Sequence, residues 1–149
     1  MASILFVCTA NICRSPMAEA LMKARHPAAF SEVKSAGVHA GLRGEPIDAR
    51  AAAALTRVDA APHKKFRSRR VLASDFERFD LIVAMESAHL DTLRQQCPPE
   101  LHGKLRLLRE DGQDVPDPYF GPAAGFDVVM EMIERGLAGL AAVKSKNPA

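Results

Sequence analysis

Hydrophobic and polar positions follow two patterns along the chain, one typical of buried strands and one typical of amphipathic helices. Apolar runs bounded by turn formers predict strands at residues 3–7, 32–38, 79–85 and 105–108. Apolar residues spaced three and four apart predict helices at 15–25, 48–58, 87–96 and 123–143, with a short helix beginning at 74–77. Because strands alternate with helices, we expect an α/β fold with a parallel, doubly wound sheet, which binds ligands at the carboxyl ends of its strands.

The segments between these elements carry turn formers or charge. They are a glycine-containing loop at 37–45, a basic stretch at 63–70, a turn-rich stretch at 111–122 and a tail at 144–149 that we expect to fray. No repeat, low-complexity segment or linker divides the chain. Its 149 residues are therefore predicted to form one domain, 1–149.

Composition narrows the function classes without choosing one. Apolar residues make up 48% of the chain, charged residues 26%, and the net charge is +2, so bulk charge predicts neither a nucleic-acid nor a membrane partner. The first apolar run has only a strand's length and no basic segment before it, so no signal peptide or membrane span is expected. Three cysteines cannot all pair within one chain, which favours the reducing cytoplasm. The five histidines show no metal-ligand spacing with the cysteines, so we predict no metal and no cofactor.

Candidate chemistry appears at residues 8–16, Cys-Thr-Ala-Asn-Ile-Cys-Arg-Ser-Pro, directly after the first predicted strand. Ser15 and Pro16 predict a helix start, with Ser15 at the N-cap and Pro16 at the first helical position. A strand that enters a helix through a tight loop directs backbone N–H groups toward an anion. Cys8 would be a thiolate nucleophile there, favoured by the helix N-terminus and the nearby arginine. The guanidinium of Arg14 matches two phosphate oxygens, so the segment predicts attack on phosphorus.

Three other residues of this loop have two interpretations each. Ser15 either caps the helix or donates its hydroxyl to the Cys8 sulfur, and the two roles are compatible. Asn11 is either an ordinary loop residue or one needed for left-handed backbone geometry, which asparagine tolerates. Cys13 is either a small apolar loop residue or a redox partner that switches Cys8 off through a disulfide.

A phosphate ester also needs an acid for its leaving oxygen, and the loop contains no carboxylate. Asp117 is the candidate because Pro116 and Pro118 stiffen the segment that carries it. Asp114 lies nearby without such support. An ordinary turn aspartate is the alternative interpretation of Asp117.

Further short segments match one known family, in order, along nearly the whole chain. Together with residues 8–19 they are 35–37, 44–46, 75–82, 84–85 and 117–119. With these segments the chain closely resembles the low-molecular-weight protein tyrosine phosphatases. The resemblance implies a three-layer α/β/α fold with a four-stranded parallel sheet, the flavodoxin-like architecture of phosphotyrosine phosphatase I.

The same resemblance implies roles for residues and partners. Cys8 is then the nucleophile, Arg14 the phosphate clamp, Ser15 the helper of the leaving thiolate, and Asp117 the general acid and then the base. The intermediate is a cysteinyl phosphate, and no metal takes part. The other implied substrate- and phosphate-binding residues are Thr9, Ala10, Asn11, Ile12, Cys13 and Tyr119. The implied partners are a phosphotyrosine protein as substrate and inorganic phosphate as product and inhibitor, and we expect a monomer or a weak dimer.

Four positions depart from the usual pattern of that family. Ala10 stands where a loop glycine is common, and Gly41-Leu42 stand where a pocket wall often carries an aromatic residue. Phe66 aligns with a histidine that often supports the loop, and Tyr119-Phe120 replaces a pair of tyrosines. These departures bear on which phosphate the enzyme prefers.

Two related enzymes and one binding module are the alternatives. A protein arginine phosphatase also carries threonine after the nucleophile, as Thr9 does, but has threonine in place of Ile12, whose apolar side chain suits an aromatic ring. An arsenate reductase needs two further cysteines, whereas only Cys97 is present and Met85 stands where one is expected. A phosphate-binding module would lack the nucleophile or the acid. The basic stretch 63–70 is either a solvated face or a site for an acidic partner or nucleic acid, and the solvated face is the simpler interpretation.

Overall fold

The computed structural model describes residues 2–146 and contains a four-stranded sheet in which every strand pair is parallel. The strands are β1 (Ser3–Cys8), β2 (Glu32–Gly37), β3 (Leu81–Ala84) and β4 (Leu105–Leu107). Their order across the sheet is β2-β1-β3-β4, which is the flavodoxin-like order. The predicted parallel sheet is therefore confirmed, although β3 is shorter than the apolar run that predicts it.

The helices lie where the apolar spacing predicts them. Within the described residues they are α1 (Arg14–Arg25), α2 (Ala49–Arg57), α3 (Asp75–Arg78), α4 (Ser87–Gln96) and α5 (Ala124–Lys146). A 3-10 helix at Pro99–Lys104, which the sequence does not predict, follows the prolines that end α4. Helix α5 continues to Lys146, into the segment expected to fray, and residues 147–149 lie outside the described range.

Helices cover both faces of the sheet, which makes the fold a three-layer sandwich. Successive side chains of β1 point to opposite faces, so Ile4 and Phe6 pack with the cluster under α1, α2 and α5. Leu5 and Val7 pack with the second cluster, under α3 and α4. Cys8 belongs to the first cluster, which places its sulfur on the same face as α1.

Two contacts hold the segment after β1 against its neighbours. The Asp48 carboxylate accepts from the backbone N–H of Arg50 at 2.8 Å and caps α2, as predicted, while the Asp48 N–H donates to the Ile12 carbonyl at 2.8 Å. Gly37, at the end of β2, lies so close to this segment that a Cβ atom there would be 2.6 Å from the Thr9 carbonyl oxygen. Any larger residue at 37 would push the loop away from β2.

Candidate active site

A pocket of about 290 Å³ opens at the carboxyl end of β1, where the sequence predicts an anion site. Its lining residues are Cys8, Thr9, Ala10, Ile12, Cys13, Arg14, Asp117, Tyr119 and Phe120. All except Phe120 are predicted from the sequence. The two remaining predicted residues, Asn11 and Ser15, are fully buried and do not line the pocket. The structure thus brings the candidate acid to the candidate nucleophile across more than a hundred residues of chain.

The sulfur of Cys8 lies 2.9 Å from the hydroxyl oxygen of Ser15. The prediction that Ser15 caps α1 is wrong, because Cys13 is the N-cap, no side chain caps the helix, and Ser15 lies within its first turn. Pro16 accordingly occupies the third helical position rather than the first. The hydroxyl is held instead by Cys8, by the Ala36 carbonyl at 3.3 Å and by Asn11, so its oxygen is not available to the helix backbone.

Asn11 fixes the shape of the loop from behind. Its φ of 60° lies in the left-handed region, which confirms the prediction of unusual backbone geometry there. Its side chain donates to the hydroxyls of Ser15 at 2.8 Å and Ser35 at 3.0 Å. It accepts from the backbone N–H of Arg69 at 3.0 Å. Every polar atom of this buried amide is therefore used to join the loop to β2 and to the basic stretch.

The Arg14 side chain is buried, and its guanidinium is held along one edge. One terminal nitrogen donates to the Glu86 carboxylate and to the Val115 carbonyl, each at 2.8 Å. The other terminal nitrogen donates to the Thr9 hydroxyl at 3.3 Å. Within the described residues, the Nε–H and one further N–H have no protein acceptor. These two donors can bind two oxygens of one phosphate group, as the sequence predicts.

His89 forms a buried contact with the loop that the sequence analysis misses. Its Nε2 lies 2.7 Å from the Thr9 hydroxyl and 3.4 Å from the Glu86 carboxylate, while its Nδ1 has no partner in the described part of the chain. Burial, reinforced by the positive charge of Arg14, lowers the pKa of His89 to about 4, so the ring is neutral. We assign its proton to Nε2, which donates to the Thr9 hydroxyl. Thr9 then accepts from both His89 and Arg14, and its own hydrogen is free to donate into the pocket.

Asp117 reaches the pocket from a half-exposed turn. One of its oxygens lies 3.7 Å from the Arg14 guanidinium, and the other accepts from the Tyr119 N–H at 3.1 Å, which closes an Asx turn. Asp114, the nearby alternative, is engaged elsewhere, because its carboxylate accepts from the Ser87 N–H at the start of α4. Of the two carboxylates, Asp117 is therefore the one placed to act on a bound ester.

The apolar walls of the pocket are the side chains of Ile12, Tyr119 and Phe120. The Tyr119 and Phe120 rings meet edge to face at 4.9 Å between centroids. The Arg50 guanidinium lies over the Tyr119 ring, 5.3 Å from its centre. Leu42, which stands where the family often has an aromatic wall, is almost fully exposed and does not line the pocket.

The other departures from the family pattern are also accommodated. Ala10 is not among the described residues with positive φ, so the loop needs no glycine at that position. The Phe66 side chain has no polar group that could support Asn11, and the backbone N–H of Arg69 donates to the Asn11 amide oxygen instead. His63, close in sequence, accepts from the Lys65 N–H.

All three cysteines are reduced and buried. Burial, with the nearby Asp48 charge, raises the pKa of Cys13 to about 12. Burial also raises the pKa of Cys97, which lies at the end of α4 in the cluster on the opposite face of the sheet from Cys8. Cys97 is therefore not positioned to exchange electrons with Cys8.

Residues 2–146 contain neither a metal-ligand cluster nor a membrane-spanning helix. No three side chains among histidine, cysteine, aspartate and glutamate there are grouped so that they could hold a metal ion. No helix in that range is both long enough and apolar enough to cross a bilayer.

Sequence reasoning misses Glu86, His89 and Phe120 as residues of this site. Glu86 comes two residues after the end of β3, and side chains at the carboxyl ends of parallel strands meet at one edge of the sheet. That rule could have found Glu86 and, one helical turn later, His89. Phe120 gives no comparable signal, because its position depends on the path of the turn-rich stretch.

Comparison with known proteins points to one family. The family model described as low molecular weight phosphotyrosine protein phosphatase matches residues 3–148. A low molecular weight protein-tyrosine-phosphatase of Streptomyces coelicolor is 41% identical over 93% of this chain and 91% of its own length. The phosphatase Etp of Escherichia coli is 42% identical over 89% of this chain and 88% of its own.

Solved structures agree with this relationship. Wzb of Vibrio vulnificus, in complex with benzylphosphonate, superposes with a TM-score of 0.87 at 30% identity, covering 95% of this chain and 98% of that one. The arginine phosphatase YwlE of Geobacillus stearothermophilus superposes with a TM-score of 0.88 at 30% identity, covering 98% and 94%. The site geometry, the family model and the relatives agree: the chain belongs to the low molecular weight phosphotyrosine protein phosphatase family, and the predicted enzyme class, a protein-tyrosine phosphatase, is confirmed.

Proposed function

We propose that the chain hydrolyses phosphotyrosine in proteins through a cysteinyl phosphate. The observation that carries the proposal is a single pocket in which the Cys8 sulfur, the free edge of Arg14 and the Asp117 carboxyl face the same space. The pocket is walled by Ile12 and Tyr119, which suit a phenyl ring. The phosphate would bind to Arg14, to the Thr9 hydroxyl and to the loop between Cys8 and Arg14.

The first step transfers the phosphoryl group to sulfur. The Cys8 thiolate attacks phosphorus, an S–P bond forms, and the P–O bond to the tyrosine oxygen breaks. The Asp117 carboxyl gives its proton to the leaving phenolate oxygen, so tyrosine departs neutral. Charge on the equatorial oxygens is met by the two free N–H groups of Arg14.

The second step returns the enzyme to its starting state. A water oxygen attacks phosphorus while the Asp117 carboxylate takes a proton from that water, and the S–P bond breaks. Ser15 stabilises the departing thiolate, because its hydroxyl hydrogen can swing from the Ala36 carbonyl at 3.3 Å to the sulfur at 2.9 Å. Inorganic phosphate is the product and would inhibit by rebinding.

Leaving-group dependence tests the role of Asp117. Asp117→Ala should slow phenyl phosphate by about 10²- to 10³-fold, because general acids contribute on that scale. It should slow an ester with an already stable leaving group, such as p-nitrophenyl phosphate, much less. Asp114→Ala is the matched control and should change both substrates equally. Equal losses on both esters in Asp117→Ala would mean that Asp117 is not the acid.

Cys8→Ser tests the role of the nucleophile, and a chelator added to the wild-type enzyme tests whether a metal takes part. Turnover should disappear while phosphate binding remains, because the loop and Arg14 are unchanged. Wild-type turnover should persist in excess chelator. Loss of activity there would contradict the proposed mechanism.

A protein arginine phosphatase is the second candidate, favoured by Thr9 and by the similarity to YwlE. Ile12 opposes it, since an apolar wall gives a guanidinium nothing to bind. We expect phosphotyrosine peptides to be turned over faster than phosphoarginine peptides, and Ile12→Thr to move the ratio toward phosphoarginine. A wild-type preference for phosphoarginine would replace the first candidate by the second.

Three further expectations belong to this proposal. Mild peroxide should inactivate the enzyme reversibly through a disulfide between Cys8 and Cys13, and Cys13→Ser should make inactivation harder to reverse.

The chain should act as one domain and elute from size exclusion as a monomer or a weak dimer. Its substrates should be cytoplasmic phosphoproteins.

A further inference from the structure

A second cavity, of about 490 Å³, lies beside the edge strand β2 and is larger than the pocket at β1. We call it the basic cavity because its lining includes the cations Lys23, Lys34, Lys65, Arg67, Arg69 and Arg78. Glu19 is the one carboxylate among the residues that line it. A concave surface with one sign of charge concentrates its field and attracts anions. The volume falls in the range of small-ligand sites.

Three of these six cations are matched by carboxylates of the protein. The ion pairs are Lys23 with Glu19, Arg69 with Asp75, and Arg78 with Glu32. Lys34 and Lys65 pair with no carboxylate in the part of the chain that the structure describes, and Arg67 donates there only to the Phe66 carbonyl. Three positive charges in the basic cavity therefore have no counter-charge in the described structure.

The basic cavity is joined to the loop of the active site by hydrogen bonds. Ser35, which is 5% exposed, lines the cavity, donates to Glu19 at 2.7 Å and accepts from the Asn11 amide at 3.0 Å. The backbone N–H of Arg69 donates to the other end of that amide at 3.0 Å. Asn11 in turn donates to Ser15, which contacts the Cys8 sulfur. Two lining residues of the cavity thus hold the residue that fixes the loop.

We propose that the basic cavity binds a diphosphate group and that the bound ligand affects the active-site loop through Asn11. A single phosphate carries about −1.5 to −2 at pH 7, which is less than the three unmatched cations require, whereas a diphosphate carries about −3. Inorganic diphosphate and a nucleoside diphosphate present this same group. The proposal does not depend on which phosphoester the active site hydrolyses.

Residue-resolved NMR titration of the whole chain with inorganic diphosphate tests the proposal. Two separate sets of amides should shift, one at residues 9–14 from the active site and one at residues 34–35 and 65–69 from the basic cavity. The side-chain amide of Asn11 and the Arg69 N–H should shift together with the second set. The apparent affinity of the second set should fall as NaCl is raised, because exposed charge pairs are screened.

Variants separate the two sites. Lys34→Ala/Lys65→Ala/Arg67→Ala should weaken binding for the second set by roughly tenfold or more and leave the first set in place. The matched control, Arg57→Ala/Arg94→Ala/Arg135→Ala, removes the same charge from exposed positions outside the cavity and should leave both sets unchanged. Single Lys34→Gln and Lys65→Gln variants give the same comparison with a smaller change.

Three outcomes would overturn the proposal. Shifts confined to residues 9–14 would mean that the basic cavity binds no diphosphate. An oligoglutamate peptide that shifts the cavity amides as strongly as diphosphate would mean a general basic face. Shifts of the cavity amides without a shift of the Asn11 side-chain amide would mean that the ligand does not affect the active-site loop through Asn11. A shift of the Phe66 ring protons with ADP, absent with inorganic diphosphate, would identify the nucleotide as the preferred source of the group.

Discussion

His89 belongs to α4, and its neutral ring contacts Thr9 of the active-site loop. This protonation state makes the stability of the fold depend on pH. Its pKa is about 4 in the folded chain, lowered first by burial, against about 6.5 in an unfolded chain. The unfolded state therefore takes up a proton as pH falls from about 6.5 to 4, while the folded state does not. The stabilisation that this residue provides is complete above pH 6.5 and is lost as pH falls through the folded pKa.

We predict that His89→Gln flattens the pH dependence of unfolding. Between pH 6.5 and 4, its slope should decrease by up to about 1.4 kcal/mol per pH unit, the value for one proton. Urea unfolding at pH 4, 5, 6 and 7 measures this slope.

His89→Leu separates the two roles of the ring. It should flatten the slope in the same way, but it should also raise the KM for aryl phosphates by a few-fold, because Thr9 loses a donor that a glutamine amide can replace. An unchanged slope in both variants would contradict a neutral buried His89.

Cys13 should resist alkylating reagents, although it lies within the same loop as Cys8 and can still close a disulfide with an oxidised Cys8. Burial raises the pKa of Cys13 to about 12, so the thiol stays protonated at pH 7. Iodoacetamide at pH 7 should therefore modify Cys8 and leave Cys13 and Cys97 unmodified, as read by mass spectrometry of the peptides. In urea all three should react. Modification of Cys13 at a rate similar to that of Cys8 in the folded chain would contradict this prediction.

At the scale of elements, α5 contains two glycines beyond its first turn, Gly136 and Gly139, and the structure gives them different neighbours. A Cβ at Gly136 would lie 2.6 Å from Cγ of Leu108, a fully buried side chain, and 3.2 Å from its carbonyl oxygen. A Cβ at Gly139 would meet mainly the carboxylate of Glu110, a side chain that can move away. The first glycine is required for packing, and the second is not.

Opposite effects of alanine at the two positions are expected. Gly139→Ala should stabilise the chain by up to about 1 kcal/mol, since alanine is the better helix former. Gly136→Ala should destabilise it by about 1–2 kcal/mol net, because the overpacking cost exceeds the same helix gain. Urea unfolding of both variants gives the comparison. A stabilised Gly136→Ala would mean that Leu108 can repack.

Local pattern predicts most of the elements but fails where contacts come from distant parts of the chain. Apolar spacing is enough for β1 and α4, and Asp48 has the side chain that an N-cap needs. Ser15 has that side chain too, yet its hydroxyl contacts Cys8 and Ala36, and only the packing of β2 against the loop determines this. The 3-10 helix is likewise not predicted, since it is a short segment without an apolar period.

At the scale of the whole molecule, ligand binding should stabilise the fold, because the pocket is built from segments that are far apart in sequence. An arylphosphonate at a hundred times its Kd should add about 2.7 kcal/mol and raise Tm by roughly 5–10 °C. Arg14→Met should remove the shift, because it removes the two free N–H groups. Arg135→Met, at an exposed position of α5, should keep it. Thermal unfolding with and without ligand decides between these outcomes.

The proline neighbours of Asp117 mark it as the candidate acid, but local pattern does not predict its proximity to Cys8. Val115 brings Asp117 close to Cys8. The Val115 N–H donates to the Met85 carbonyl at 2.8 Å, and the Val115 carbonyl accepts from Arg14. The side chain of Val115 is fully buried. The turn-rich stretch is thus fixed to the end of β3 and to Arg14 at the same residue.

This attachment sets a limit on where Asp117 can act. The Asp117 carboxylate is half exposed, and Asp117 comes only two residues after Val115, which is fixed. The Cα atom of Asp117 can therefore lie at most roughly 7 Å from that of Val115. For Asp117 to protonate a leaving ester oxygen, that oxygen must therefore bind close to the fixed position of Asp117. A phosphorylated side chain long enough to enter the pocket satisfies that condition whatever the sequence around it. We expect a shorter one, held back by its own backbone, to react poorly, so that the proposed mechanism also selects substrates by side-chain length.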